Sequence, residues 1–311
     1  MKRGVEYSII IPLYNEELVI NETYGRLKTV MDSTDKPYEL IFVNDGSRDR
    51  TLETARDLCN LDGGVKLLSF SRNFGHQAAI TAGMEHADGR AIVVIDADLQ
   101  DPPEVIPRLI EKWQEGYEVV YGQRLKRDGE SFFKIMSASV FYRALRSLTD
   151  IEMPVDAGDF RLIDQKVRNA LIAIPERNRY IRGLVSWLGF KQIGVEYARH
   201  ERFAGETKYP LRKMFKFAGD AITSFSYRPL KMATYVGASI SVLSLFYLIW
   251  IACEKFFARL AISGWTAMAG ISLFCNGMVL LALGIIGEYI GRIYDEAKGR
   301  PLYVIDEKVG F

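Results

Sequence analysis

Two aspartates, Asp96 and Asp98, stand two residues apart directly after the apolar run Ala91–Ile95. If that run is a strand continuing through the pair, both carboxylates leave the backbone on one side, because side chains alternate along extended chain. Like charges so placed repel unless something neutralises them. A divalent cation with oxygen ligands does this, and Gln100, on the same alternation, offers a neutral oxygen. Mg²⁺ commonly shares its ligands between one or two carboxylates and substrate phosphates, so the chemistry suggested is the handling of a phosphorylated ligand through Mg²⁺ or Mn²⁺. An acidic pair can also mark the start of a helix. Asp101-Pro102-Pro103-Glu104 has that form, with Asp101 as the N-cap. The spacing therefore gives Asp101 to the cap and Asp96 and Asp98 to the metal, while an acidic turn stays open as the alternative for the pair alone.

The elements that must position this pair alternate along the first 120 residues. Strands are predicted at Tyr7–Ile11, Glu39–Val43, Val65–Ser69, Ala91–Ile95 and Glu118–Tyr121, and helices near 16–32, 49–61, 76–87 and 103–115. Such alternation implies an α/β domain with a mainly parallel sheet and helices on both faces. Ligands of open sheets of this kind bind beyond the carboxyl ends of the strands. Polar residues cluster there: Asn15 and Glu16 after the first strand, Asn44-Asp45-Gly46-Ser47 after the second, Ser71-Arg72-Asn73 after the third, Asp96 and Asp98 after the fourth. There is no GxGxxG after the first strand, no GxxxxGK[ST] and no HExxH, which argues against dinucleotide oxidoreductases, P-loop NTPases and zinc peptidases. The net charge is +1, so nothing global points to nucleic acid. Cys59, Cys253 and Cys275 form no CxxC and no ligand spacing with His76, His86 or His200, and such sparse cysteine fits a reducing compartment. The apolar run near the N-terminus is too short for a signal peptide.

The end of the chain has a different character. Residues 232–253 and 260–287 carry no charge. As helices they would be roughly 33 and 42 Å long, and both could cross a hydrocarbon core of about 30 Å. Gly237, Ala238, Gly270, Gly277, Gly284 and Gly287 supply small residues for close helix packing. Arg228, Lys231, Arg292, Lys298 and Arg300 flank the pair on the outside, against Lys255, Arg259 and Glu254 in the connecting loop, so both flanks and both termini are expected in the cytoplasm. Before the first span, Leu211, Met214, Phe215, Ala218, Ile222 and Phe225 follow helical spacing, with Lys208, Arg212, Lys213 and Lys216 nearby. This suits a helix lying in the headgroup region, with a core-packed amphipathic helix as the alternative.

Taken together, IIIPLYNEE, VNDGSRDRT, SRNFGHQAAITAG and DADLQDPPE resemble family 2 glycosyltransferases of the GT-A fold. With AGDFRL at 157–162, ERFAGETKY at 201–209 and IIGEYIGRIYDEAKGRPLY at 285–303, the chain is similar to polyprenyl-phosphate glycosyltransferases: bactoprenol glucosyltransferases, aminoarabinose transferases and dolichol-phosphate mannose synthases. The resemblance spans nearly the whole chain. It implies a catalytic domain at 1–207, amphipathic juxtamembrane helices at 208–230, a two-helix transmembrane region at 231–290 and a cytoplasmic tail at 291–311. It also implies roles for individual residues. Pro12, Tyr14 and Glu16 would line the nucleoside pocket, Asp45 would bind the base, and Arg72 would lie near the nucleotide. Asp96, Asp98 and Gln100 would hold the metal against the diphosphate. Asp159 would be the catalytic base, Arg124 and Arg127 would meet the acceptor phosphate, and Arg202 and Lys208 would sit on a loop closing over the diphosphate.

The reaction implied is an inverting transfer from a nucleotide-sugar, UDP-glucose by resemblance, to undecaprenyl or another polyprenyl phosphate at the cytoplasmic face of the inner membrane. GDP-mannose and UDP-aminoarabinose are the alternative donors. The likeness further implies a homo-oligomer, a tetramer. A processive polysaccharide synthase would share the N-terminal motifs, but the QxxRW motif of those enzymes is missing. A non-catalytic membrane scaffold is disfavoured by the intact carboxylates, and a transporter by spans without intramembrane charge.

Overall fold

The computed structural model describes residues 4–125, 157–177, 179–199, 228–258 and 264–311. Arg127, Arg202, Lys208 and the amphipathic stretch at 208–227 lie outside the described residues.

Four short apolar runs become the central strands: β1 (Tyr7–Leu13), β2 (Tyr38–Asn44), β3 (Val65–Phe70) and β4 (Ala91–Val94). Every residue of β1 and β4 is buried, as expected for strands covered on both faces. Their pairings are parallel, with Ile9 lying between Leu40 and Val93. Side-chain alternation then divides the core. Ile9, Ile11, Leu40, Phe42, Leu67 and Val93 face α1 (Ile20–Asp32), α2 (Thr51–Leu61) and α4 (Ile106–Gln114) through Leu27, Met31, Leu58, Ile106 and Leu109. On the opposite face Ile10 meets α3 (His76–His86), which approaches so closely that a Cβ on Gly83 would lie 2.3 Å from Ile10 Cγ2. Gly83→Ala is therefore expected to overpack this interface, destabilising the fold by about 1–3 kcal/mol. Thermal unfolding of the full-length variant checks it, and an unchanged Tm would show that α3 can shift without loss.

The expected parallel core is present, and four further strands extend it, of which β5 was also expected. The order is β7-β5-β6-β4-β1-β2-β3-β8, with β5 (Val119–Arg124), β6 (Ala157–Asp164), β7 (Gln192–Tyr197) and β8 (Ile305–Val309). β5 and β7 pair in parallel, whereas β6 runs antiparallel between β4 and β5. Two short helices, α5 (Gln165–Ala173) and α6 (Ile181–Trp187), link β6 to β7. β8 pairs antiparallel with β3 and is pinned by Arg56, whose guanidinium holds Glu307 at 2.6–3.0 Å. The stretch expected as a tail at 291–311 is thus divided: a helix continues to Ala297, and residues 301–311 belong to the sheet-bearing unit.

The second compact unit contains two long helices that contact each other, α7 (Arg228–Ala258) and α8 (Trp265–Ala297). Among the described residues, Phe274–Ala297 is the one helical segment long and apolar enough to cross a membrane, and none of it is buried. Large apolar side chains on both helices are turned outward, including Phe246, Trp250, Phe274, Leu280 and Leu283. A monomeric soluble protein rarely leaves so much contiguous apolar surface in water.

Candidate active site

The loops at the carboxyl ends of β1 and β2 are stitched together by short polar links. Asn15 N–H donates to Ser47 Oγ at 3.0 Å, Arg48 N–H to Asn15 Oδ1 at 2.9 Å, and Glu16 N–H to Thr51 Oγ1 at 2.8 Å. Asn15 takes a left-handed backbone (φ 54°) to make this corner. Pro12 sits in β1 without breaking the ladder, because the β1–β4 pairing ends at Ile10–Val94.

Asp45, 4% exposed, ends β2 and turns toward the next loop. Its carboxylate accepts from the backbone N–H groups of Phe74 (2.6 Å) and Gly75 (3.0 Å). Burial raises its pKa above the ordinary value, although those two amides oppose the shift. The loop beyond is in close contact: a Cβ on Gly46 (φ +64°) would lie 2.5 Å from Arg72 C. Arg72 covers the Phe74 ring at 4.0 Å.

The Asp96–Asp98 pair is not held as the alternation implied. β4 ends at Val94, and the two aspartates lie on the turn that follows, not on extended chain. Leu99 has φ 57°, which redirects the backbone. The Gln100 Oε1 accepts from Arg199 Nη2 at 2.6 Å. Nor does Asp101 cap the helix start. The 3-10 turn Pro103–Val105 has no side-chain cap. Asp101 is instead fully buried, accepting from the Tyr197 hydroxyl and lying 3.6 Å from both Arg124 Nη2 and Arg199 Nε. Arg124 is seated further by the Tyr197 hydroxyl at 3.4 Å. Gly158 makes room for it, since a Cβ there would come within 2.6 Å of Arg124 Nη2.

Asp159 lies on β6, buried beside Asp96. Its partner is Arg182 on α6, not the neighbouring Arg161. Arg182 Nε donates to Oδ1 at 2.8 Å and Nη2 to Oδ2 at 2.9 Å, a two-pronged pair. Arg161 is buried and donates to the Gly158 carbonyl at 2.9 Å. His76, the first residue of α3, completes the group: Nε2 is 3.2 Å from Asp159 Oδ2 and 3.6 Å from Asp96 Oδ1. Burial would raise the Asp159 pKa, but the Arg182 guanidinium and the His76 hydrogen bond hold it well below the carboxylate range. Burial works against charge on His76, yet the Asp159 and Asp96 carboxylates hold its pKa up at about 9. Asp96 is pushed up to about 6, first by burial and then by the carboxylates of Asp159, Asp101 and Asp98.

Asp96 and Asp98, two residues apart beyond β4, are oxygen donors of the kind a hard divalent cation takes. Among the described residues no three His, Cys, Asp or Glu side chains converge as a complete metal cage. Two aspartates with phosphate oxygens filling the remaining positions are the donor set Mg²⁺ or Mn²⁺ accepts.

The sequence-level site is thus partly assembled. Asp96, Asp98 and Asp159 come together, Arg124 sits beside them through Asp101, and Asp45 and Arg72 gather at the 70–75 loop. Tyr14 and Glu16 lie on the stitched corner after β1. The partners His76, Arg182, Tyr197 and Arg199 were not expected. His76 stands within SRNFGHQAAITAG, where its place before an apolar helix could have marked it. Arg182 has no local signal, because its role arises only when α6 is brought against β6.

An α/β domain with a mainly parallel sheet and carboxylates gathered beyond its strands is of the GT-A-like class. The glycosyl transferase family 2 profile matches residues 8–171, and the chain belongs to that family. A second profile, the GtrB C-terminal hairpin, matches residues 228–293. The uncharacterized glycosyltransferase YkcC of Bacillus subtilis (strain 168) is 58% identical over 310 residues, covering 100% of this chain and 96% of its own length. The bactoprenol glucosyl transferase of Shigella phage SfX is 40% identical over 307 residues, covering 98% of this chain and 100% of the relative. The prophage bactoprenol glucosyl transferase homolog of Escherichia coli (strain K12) is 38% identical, covering 97% and 98%. The protein is a glycosyltransferase.

Proposed function

We propose that the protein transfers a sugar from a nucleoside diphosphate donor to a polyprenyl phosphate at the cytoplasmic face of the membrane, with glucose from UDP-glucose as the specific donor reading. The observation that carries this is the joining, in one chain, of the Asp96–Asp98–Asp159 site to a segment matched by the hairpin profile. Full-length relatives named bactoprenol glucosyl transferases support it.

The path of the chain supports a hairpin of two spans. It leaves the sheet-bearing unit before α7 and returns after α8 to lay β8 against β3. A chain that crossed a membrane once in between could not return to the same sheet. If the segment in α8 crosses, α7 crosses as well, and the positive flanks put the catalytic domain in the cytoplasm. The catalytic domain is then 1–207 together with 301–311, with the juxtamembrane stretch at 208–230 placing it at the lipid headgroups. A tetramer is the assembly this reading favours.

In the reaction a phosphate oxygen of the lipid forms a bond to the anomeric carbon. The bond from that carbon to the nucleoside diphosphate breaks with inversion, and the electron pair leaves with the diphosphate. Asp96 and Asp98 would hold a divalent cation, which would neutralise charge on that leaving group. Arg124, together with Arg127, binds the acceptor phosphate; Arg202 and Lys208 close on the diphosphate; Pro12, Tyr14, Glu16, Asp45 and Arg72 shape the nucleoside end. A phosphate monoester has its second pKa near 6, so the acceptor is mostly dianionic at neutral pH and needs little deprotonation. Asp159, tied to Arg182 and kept ionised, is a poor proton acceptor. Its role is to fix two cations, Arg182 and His76, beside Asp96. Incubating the full-length protein with undecaprenyl phosphate and a panel of UDP-glucose, GDP-mannose and UDP-aminoarabinose tests the reading. Lipid-linked glucose from UDP-glucose is expected, and a lipid product from another donor alone would replace the glucose assignment.

A further inference from the structure

The loop at 71–75 has little support of its own. Ser71, Arg72 and Asn73 are exposed, and Phe74 and Gly75 are half-buried. On one side the loop is held by Asp45 and Gly46. On the other side it is held by the end of the chain. The Ser71 N–H donates to the Val304 carbonyl at 3.0 Å. The Tyr303 ring stacks on Phe70, with centroids 4.9 Å apart and planes 15° from parallel. Phe70 in turn meets the edge of Phe74 at 5.8 Å, and Phe74 carries the backbone N–H that Asp45 accepts. The Tyr303 hydroxyl is fixed by Glu85 on α3. Further along, Phe311 is anchored separately, beneath Lys66 and Lys308 and against His86.

We infer that Tyr303 and Val304 are positioning residues for the nucleoside end of the donor site: they brace the 70–75 loop in the shape that presents Asp45 and Arg72. The inference rests on the reading of Asp45 and Arg72 as nucleoside contacts. It also gives the order of the chain a consequence. Residues 301–311 follow the helical hairpin, so the donor end of the site is completed only after the hairpin has been made. A loop held mainly from outside opens readily when that support is removed.

The test uses the full-length protein in lipid nanodiscs and measures kcat and donor KM, with UDP-glucose as the probe or GDP-mannose if the donor panel selects it. Tyr303→Ala is expected to raise donor KM roughly tenfold, from loss of the ring stack and of the half-buried ring, while kcat changes little. Tyr303→Phe keeps the stack and should restore KM. Phe311→Ala, at the far end of the same segment, should leave KM unchanged. Hydrogen exchange over residues 70–75 should speed up in Tyr303→Ala but not in Tyr303→Phe or Phe311→Ala. Should that variant fold poorly, Tyr303→Leu retains bulk but not stacking, and should show the same KM and exchange changes. Unchanged KM and exchange in the Ala or Leu variant overturn the inference, as does an equal KM rise in Phe311→Ala, which would mean general loosening. Asp45→Asn separates the two levels: if it leaves donor KM untouched, the nucleoside reading itself has failed.

Discussion

Asp96→Asn is expected to lower turnover by roughly a thousandfold, equivalent to about 4 kcal/mol of lost transition-state stabilisation. The replacement keeps size and shape but removes one of two carboxylates from the turn after β4. An amide is a weaker ligand for a hard cation than a carboxylate. It also removes the counter-charge 3.6 Å from His76. The leaving diphosphate would then face a loosely held metal. Turnover at saturating donor should fall, and the Mn²⁺ concentration needed for half-maximal rate should rise. Turnover within a few fold of the parent at ordinary Mn²⁺ would remove Asp96 from the metal site.

Asp159→Asn is the second large effect, and it separates two roles for one residue. A general base would act alone, and its loss would not depend on Arg182. A charge clamp works as a unit with the guanidinium bound to it at 2.8 and 2.9 Å. Asp159 is buried but Arg182 is 30% exposed, so the guanidinium left without its carboxylate is partly hydrated and the fold loses about 1–3 kcal/mol. Turnover is expected to fall by roughly a thousandfold with donor affinity retained, accompanied by a lower Tm. The decisive comparison is Arg182→Gln alone and combined with Asp159→Asn. For a clamp, the double variant should be hardly worse than either single one, because contacting residues in one network are not additive. Fully multiplicative losses would show that the two act separately, and the base assignment would regain ground.

The contrast between Asp159 and Gln100 shows what sequence could and could not supply. The first four strands were legible because each is a short apolar run between polar turns. Their carboxyl ends are where Asp45, Asp96 and Asp98 stand. β6 and β7 were not read as strands, since AGDFRLID and QIGVEY mix glycine and charge with apolar residues. β8 was hidden further: IDEKV alternates charge with aliphatics and becomes a strand only because the edge of β3 is open to it. In the site, the DxD spacing was visible, but its geometry was not. Leu99 takes a left-handed backbone in the turn, with Gln100 beyond it bonded to Arg199 and Asp101 to Tyr197. Positive φ at a leucine leaves no mark in the sequence. Partners such as Arg182 come from elements brought together only by the fold, so spacing along the chain cannot reveal them.

The measurement that bears most directly on the proposed reaction is formation of a labelled lipid by the full-length protein in nanodiscs containing undecaprenyl phosphate. Labelled UDP-glucose is supplied with Mn²⁺, then after EDTA, then after Mn²⁺ is restored. The expected result is label in the organic-extractable lipid that disappears with EDTA and returns with Mn²⁺, without free glucose accumulating. Free glucose with no labelled lipid, or labelled lipid formed equally well in EDTA, would contradict a metal-dependent transfer to polyprenyl phosphate centred on Asp96 and Asp98.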